Sequence, residues 1–301
     1  MNWFSPKKVI VQGITTYQAA FYAAQMKAYG TDVVAGISPG DGGTHIEDIP
    51  VFDLVEQALV EVERIDISLI FVDYDRVLDA ATEAIAAGIR QIIIFTSRVP
   101  PLDTIKLIEY ARQTNTTILG PGSHGIIIPQ QVWLGNLDPQ YYQPGKVGTI
   151  ATSRHLSYEV AAELHRANMG QSIVVSLGTD RIIGTKLPQW LAILDEDPST
   201  EVIIAIGQRI DDAREIIAHC KDRGYKKPII VYLAGLKAPQ QKDYRDAATI
   251  ISNYLSASIP VVNRDRATGE KLRKVGIKIA KKPSEIPLMI EKALAISSDR
   301  H

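Results

Sequence analysis

Short runs rich in Val and Ile, each followed by a longer amphipathic run, recur along most of this chain, and this alternation limits its fold more than any other feature. Residues 8–11, 32–37, 67–72, 91–95 and 117–119 are strand-length and apolar, and residues 17–29, 53–62, 78–88 and 102–113 between them carry helical spacing. Strands that are apolar throughout are buried on both faces, the pattern of a parallel sheet covered by helices on either side. Short connections then predict right-handed crossovers and a doubly wound, Rossmann-like domain. The pattern breaks over residues 120–145, where prolines at 121, 129, 139 and 144 and the pairs Gln130-Gln131 and Tyr141-Tyr142 predict a connector with a small turn-rich element. Alternation restarts with strands at 147–151, 172–176, 201–206, 228–232 and 277–280, and helices at 156–167, 187–194, 213–223 and 284–295. A further helix closes at 271–275, while 237–262 reads as a polar loop, a candidate helix and an extended piece. The second half is therefore expected to be a flavodoxin-like parallel α/β domain. The fold class is α/β, with domains expected at 1–143 and 144–301. A length of 301 residues suits two domains of ordinary size.

Composition narrows the partners. With 33 basic and 34 acidic side chains spread along the chain, no field exists to hold nucleic acid or an anionic membrane. The longest apolar runs are strand-sized, far short of the roughly 20 residues of a membrane helix. The N-terminus lacks a charged segment followed by a long apolar stretch, so no signal peptide is read there. The single cysteine, Cys220, cannot form an internal disulfide, which fits a reducing, cytoplasmic setting. Its place in a helical run suits a buried structural thiol better than a nucleophile.

In a Rossmann domain the first turn brings backbone amides to a phosphate at a helix N-terminus. Here it reads Gln12-Gly13-Ile14-Thr15-Thr16-Tyr17-Gln18, with one glycine. Thr15 and Thr16 can cap the helix or hydrogen-bond a phosphate, capping being the simpler role, and Tyr17 is expected to crowd a ligand. The loop Ser38–Thr44 carries glycines at 40, 42 and 43. Asp41 at its tip repels phosphate and is suited to a ribose hydroxyl. Asp180 follows a strand on the edge where ligands bind, and reads either as a catalytic group or as a turn carboxylate. None of the six histidines has metal-ligand spacing, and no Gly-x-Ser-x-Gly elbow occurs, so no metal site is expected.

Several motifs in order resemble the α subunit of succinyl-CoA synthetase. They are Gln12-Gly13, Ala28-Tyr29-Gly30-Thr31, the 38–44 loop, Ile49-Pro50-Val51-Phe52, residues 84–89, Gly120-Pro121 and Pro144-Gly145-Lys146-Val147-Gly148. Ser157-Tyr158-Glu159, Gly170-Gln171-Ser172, residues 195–201, Ile206-Gly207, Ala234-Gly235 and Ala238-Pro239 continue them. The resemblance implies an N-terminal CoA-binding domain, a flavodoxin-like ligase domain and a separate ATP-grasp β-type partner. It also implies phosphoryl transfer through a histidine on a second-domain loop. At the position matching that histidine stands Asp246, and at its orienting glutamate stands Gln208. The Ser-Gly-Thr that opens the phosphate-binding helix matches Ser153-Arg154-His155, whose positive groups could still hold an anion. A lysine that meets CoA is replaced by Asp41, an acidic contact by Ser97, and the Asn of Gly-Pro-Asn by Gly122. A CoA-type crevice would use Gly13, Thr15, Thr16, Gln18, Gly40, Asp41, Thr96 and Ser97. Because both the phosphoryl and CoA sites are altered, the expectation is a non-catalytic homologue acting as a binding, regulatory or assembly module. Its partner would be another protein, such as a subunit of the ATP-grasp β type, or a second copy of the chain. The alternative is an acid–CoA ligase subunit with a different phosphoryl carrier.

Overall fold

The structure, a computed structural model, describes residues 7–207, 216–218, 224–233 and 264–298. The first half runs β1 (Lys8–Gln12), α1 (Tyr17–Tyr29), β2 (Asp32–Ile37), β3 (His45–Ile46), β4 (Ile49–Phe52), α2 (Val55–Val62), β5 (Ile67–Ile70), α3 (Val77–Ala86), β6 (Gln91–Ile94), α4 (Pro101–Gln113) and β7 (Thr117–Leu119). These seven strands form one sheet in the order β3-β4-β2-β1-β5-β6-β7. All pairings are parallel except that of the short β3 with β4. The central strand shows why its sequence lacks in–out alternation. Val9 and Val11 enter the apolar cluster on one face, Ile10 enters that on the other, and all three are fully buried. Helix α1 stops at Gly30, whose φ of 107° suits glycine; its amide and that of Thr31 return to the carbonyls of Lys27 and Met26 at 3.0 and 2.9 Å.

The second sheet contains β8 (Gly125–Ile128), β9 (Val132–Gly135), β10 (Pro144–Ala151), β11 (Gln171–Ser176), β12 (Val202–Gly207), β13 (Ile229–Leu233) and β14 (Lys278–Ala280). Its order is β14-β13-β12-β10-β11-β8-β9. Strands β10 to β14 are parallel, and β8 joins β11 antiparallel. Helices α5 (Arg154–Arg166), α6 (Leu187–Glu196), α7 (Arg264–Lys274) and α8 (Ile286–Ser298) accompany it. No helix of the described residues is long and apolar enough to cross a membrane.

The connector read over 120–145 needs correcting. It holds the β8–β9 hairpin, whose Ile126, Ile127 and Leu134 are fully buried, and β10 already starts at Pro144. The two sheets divide between Leu119 and Gly125. The prolines misled because they flank strands. Pro129 lies in the hairpin turn and Pro144 opens β10, positions where a missing N–H costs little. This hairpin also joins the halves. The Thr31 hydroxyl donates to the Trp133 carbonyl (2.7 Å) and accepts from the Trp133 amide (3.2 Å). The Trp133 ring stands edge-on to Tyr22 and Tyr29, at 6.4 and 5.8 Å between centroids. One apolar cluster runs from Val9 through Trp133 to Val231.

Candidate functional site

Strand β1 lies between β2 and β5, so the crossovers leave it in opposite directions and a crevice opens beyond its carboxyl end. A cleft of about 460 Å³ occupies that place, within the ~300–1,000 Å³ usual for small-molecule sites. Its floor is the first turn. Gly13 has φ 81°, and a Cβ there would sit 3.0 Å from both the Cγ1 and the backbone N of Val72, so conformation and space both require glycine. Thr16 is the N-cap of α1: its hydroxyl accepts from the Ala19 amide (3.3 Å) and donates to the Gly13 carbonyl (3.0 Å). The hydroxyls of Thr15 and Ser38 lie 2.9 Å apart. Tyr17 does not crowd the cleft as expected. At 88% exposed, its ring stands in solvent, because the first helical position of α1 points outward.

Sequence reasoning missed the far wall, which comes from the β5–α3 segment. Asp73, Arg76, Asp79 and Glu83 all line the cleft, three carboxylates to one guanidinium. The signal was present as charges at 76, 79 and 83, spaced to share one helical face. Glu83 is partly spent on the fold, accepting from the Val55 amide (2.8 Å) at the start of α2 and from the Gln12 side chain (3.2 Å). Gln12 is tied on its other side by the Ser68 hydroxyl at 2.7 Å.

The glycine loop is closed on itself. The amides of Gly40 and Gly42 both donate to Asp53 Oδ1, at 2.6 and 3.1 Å, and the Ser38 hydroxyl donates to Asp41 at 2.6 Å. Donors that could meet an anion are thus taken by carboxylates of the chain. Of the residues proposed from sequence, the cleft brings together Gly13, Thr15 and Thr16. Gln18, Gly40, Asp41, Thr96 and Ser97 stand outside its wall. The Thr96 hydroxyl is bonded to the Val72 carbonyl at 2.5 Å, and Ser97 is exposed.

Asp180, in the bend after β11, reaches from the second half to the first. Its two oxygens accept from the amides of Arg98 (3.0 Å) and Val99 (3.1 Å), beyond the end of β6. Arg98 is held at φ 62° by this grip. The stretch 120–122 is clamped alongside. Gly120 accepts from Gly184, and a Cβ on Gly122 would sit 2.4 Å from the Thr179 hydroxyl.

In the second sheet β10 is the strand where the order reverses, and α5 begins beyond its carboxyl end. Ser153 is the N-cap residue and is buried, while His155 is exposed in the first turn, which contains no acidic residue. The Arg154 side chain, Gln208, Cys220 and Asp246 lie outside what the structure describes. On β13, facing α5, the Tyr232 phenol is pushed above its ordinary value by burial and then by the nearby Glu159. No group of three or more His, Cys, Asp or Glu among the described residues could hold a metal ion.

Comparison with known proteins places these features in a family. Residues 4–98 match the CoA binding domain, and residues 144–280 match the succinyl-CoA ligase like flavodoxin domain. The chain is 36% identical over 279 residues to subunit alpha 2 of an ADP-forming succinate–CoA ligase from Archaeoglobus fulgidus, covering 93% of this chain and 96% of that one. It is 34% identical over 291 residues to the alpha subunit from Aquifex aeolicus, covering 96% and 93%. Among solved structures, ATP citrate lyase from Methanothrix soehngenii in complex with citrate and coenzyme A superposes with a TM-score of 0.78 at 19% identity. It covers 98% of this chain and 50% of that longer one. A dinucleotide-forming acetyl-coenzyme A synthetase from Ca. Korarchaeum cryptofilum gives 0.69 at 20% identity, over 93% and 59%. At these identities the last two show a shared fold.

Proposed function

This chain belongs to the succinate–CoA ligase alpha-subunit family, and from that premise we propose that it is a non-catalytic alpha-type module, acting by assembly or regulation rather than by turnover. The lining of the first-domain cleft carries this reading. CoA is a polyanion, and the cleft meets it with three carboxylates against one guanidinium. The neighbouring glycine-loop amides already hold Asp53, and Asp41 adds a further negative charge. Like charges in one cleft disfavour binding, so these residues do not fit CoA's phosphates. Asp246 supports the same reading from the phosphoryl side, because a carboxylate cannot become a phosphohistidine. Its partner would be a β-type ligase subunit or a second copy of the chain, since the relatives are themselves named as subunits.

Two measurements test this together. Calorimetric titration of the full chain with CoA is expected to give no binding up to millimolar concentration. Incubation with radiolabelled ATP and a competent β-type subunit is expected to leave the chain unlabelled. Micromolar CoA affinity together with label that Asp246→Asn removes would establish an active ligase subunit instead.

A further inference from the structure

Helix α1 is apolar on two opposite sides. Ala19, Ala23 and Met26 are buried and join the cluster that holds Val9 and Val11 of the first sheet. At 3.6 residues per turn the opposite side is Tyr17, Phe21, Ala24 and Ala28, which fall within about 60° of one another. Tyr17 and Phe21 are 88% and 49% exposed, Ala28 is exposed and Ala24 half-buried. A helix covering a sheet ordinarily turns charged residues to water. α1 does not: it is the one described α-helix without an acidic side chain. Its single cation, Lys27, is drawn to the flank, where Nζ donates to the Asp48 carbonyl at 3.0 Å. The exposed Gln25 borders the other flank, so a polar rim surrounds an uncharged centre. Phe21 stands edge-on to Tyr22, with 5.2 Å between ring centroids, a contact that orders its ring on the surface.

The order of large and small residues on this face points to what covers it. The two aromatic rings occupy the N-terminal half and the two alanines the C-terminal half. Turned end for end, the face is its own complement. Tyr17 of one copy stands opposite Ala28 of the second copy, and Phe21 opposite Ala24, about a dyad midway between Tyr22 and Ala23. Each ring then meets a methyl group rather than another ring. A two-fold contact also brings side chains near the dyad against their own copies, so a charge there meets its like. The outer face of α1 carries none. Covering it removes on the order of 450 Å² from each copy, since one aromatic side chain alone supplies up to ~150–250 Å². The total of roughly 900 Å² falls short of the ~1,200–2,000 Å² of a permanent interface and suits a reversible one.

We infer that the chain forms a reversible two-fold dimer through the outer face of α1, with a second copy of itself as the occupant. The inference rests on the reading of the chain as an assembly module and gives that reading a surface.

The test is sedimentation equilibrium of the full chain. The mass is expected to rise from 33.1 kDa toward twice that value as concentration increases, with half-dimerisation on the order of 100 µM. Tyr17→Glu places a carboxylate in the first turn of α1, where the helix dipole favours it, so the melting temperature should hold. The same variant is expected to weaken the dimer at least about tenfold, because it buries an unpaired charge at each end of the contact. Adding Ala28→Lys to Tyr17→Glu sets opposite charges across both ends and should recover most of that loss, which only the antiparallel register allows. A mass of 33.1 kDa at every concentration up to about 1 mM, or a dimer that Tyr17→Glu leaves unchanged, would overturn the inference. A double variant no stronger than Tyr17→Glu alone would overturn the register it depends on. A chain that stays monomeric yet binds a β-type subunit, with that binding lost in Tyr17→Glu, would assign the face to that subunit instead. The non-catalytic reading stands or falls separately, on the CoA titration and the labelling experiment.

Discussion

Asp180 shows what a single side chain does here. Its identity does not foretell that its carboxylate accepts from the amides of Arg98 and Val99 across the seam. Two backbone amides of the first half depend on one carboxylate of the second. Asp180→Ala leaves the part-buried Val99 amide without this acceptor and Arg98 unsupported, so it is expected to lower stability by about 1–3 kcal/mol in urea unfolding. Amide exchange at Arg98 and Val99 should quicken in the same variant. Unchanged stability together with unchanged exchange would mean that the amides find other partners and the carboxylate is not a clamp. Gly13 was legible earlier, because a glycine closing the first Rossmann strand has few other reasons to be there. Asp53 was not. Nothing local in Phe52-Asp53-Leu54 says that its carboxylate will fold back on two glycine amides 13 and 11 positions upstream.

The β8–β9 hairpin is the element that sequence pattern mistook for a connector. Its strands are four residues each, too short for periodicity to separate from irregular chain, and prolines flank them. What makes them strands is the partner. β11 supplies an antiparallel ladder on one side, and α1 packs on the far strand. Thr31→Val tests that docking. It removes one hydroxyl that serves both the amide and the carbonyl of Trp133, and should cost about 1–3 kcal/mol with the fold retained. A stability within about 0.5 kcal/mol of the parent would show that the hairpin is held by packing alone. The same reasoning explains the acidic wall of the cleft. Helical spacing put Arg76, at the N-cap of α3, with Asp79 and Glu83 on one face, but which face looks into the crevice depends on how α3 docks between β5 and β6.

At the scale of the molecule, the two halves share one apolar cluster from Val9 to Val231 and are tied by Thr31, Asp180 and the 183–186 segment. Units joined by a continuous core unfold together. Scanning calorimetry is therefore expected to show a single endotherm, whereas two resolved transitions would mean that the seam is weak and the halves independent. The first-half cleft is lined by three carboxylates and one guanidinium. The chain's near-zero net charge conceals that local charge entirely.

Most of the strand–helix alternation, the mainly parallel class of both sheets and the family were readable from the sequence, because they follow from periodicity and from motifs a few residues long. The division between the sheets, the closure of the glycine loop on Asp53, the grip of Asp180 and the acidic lining of the cleft required the tertiary structure. Each is a contact between residues distant along the chain, and local pattern carries no information about which distant groups a folded backbone brings within about 3 Å.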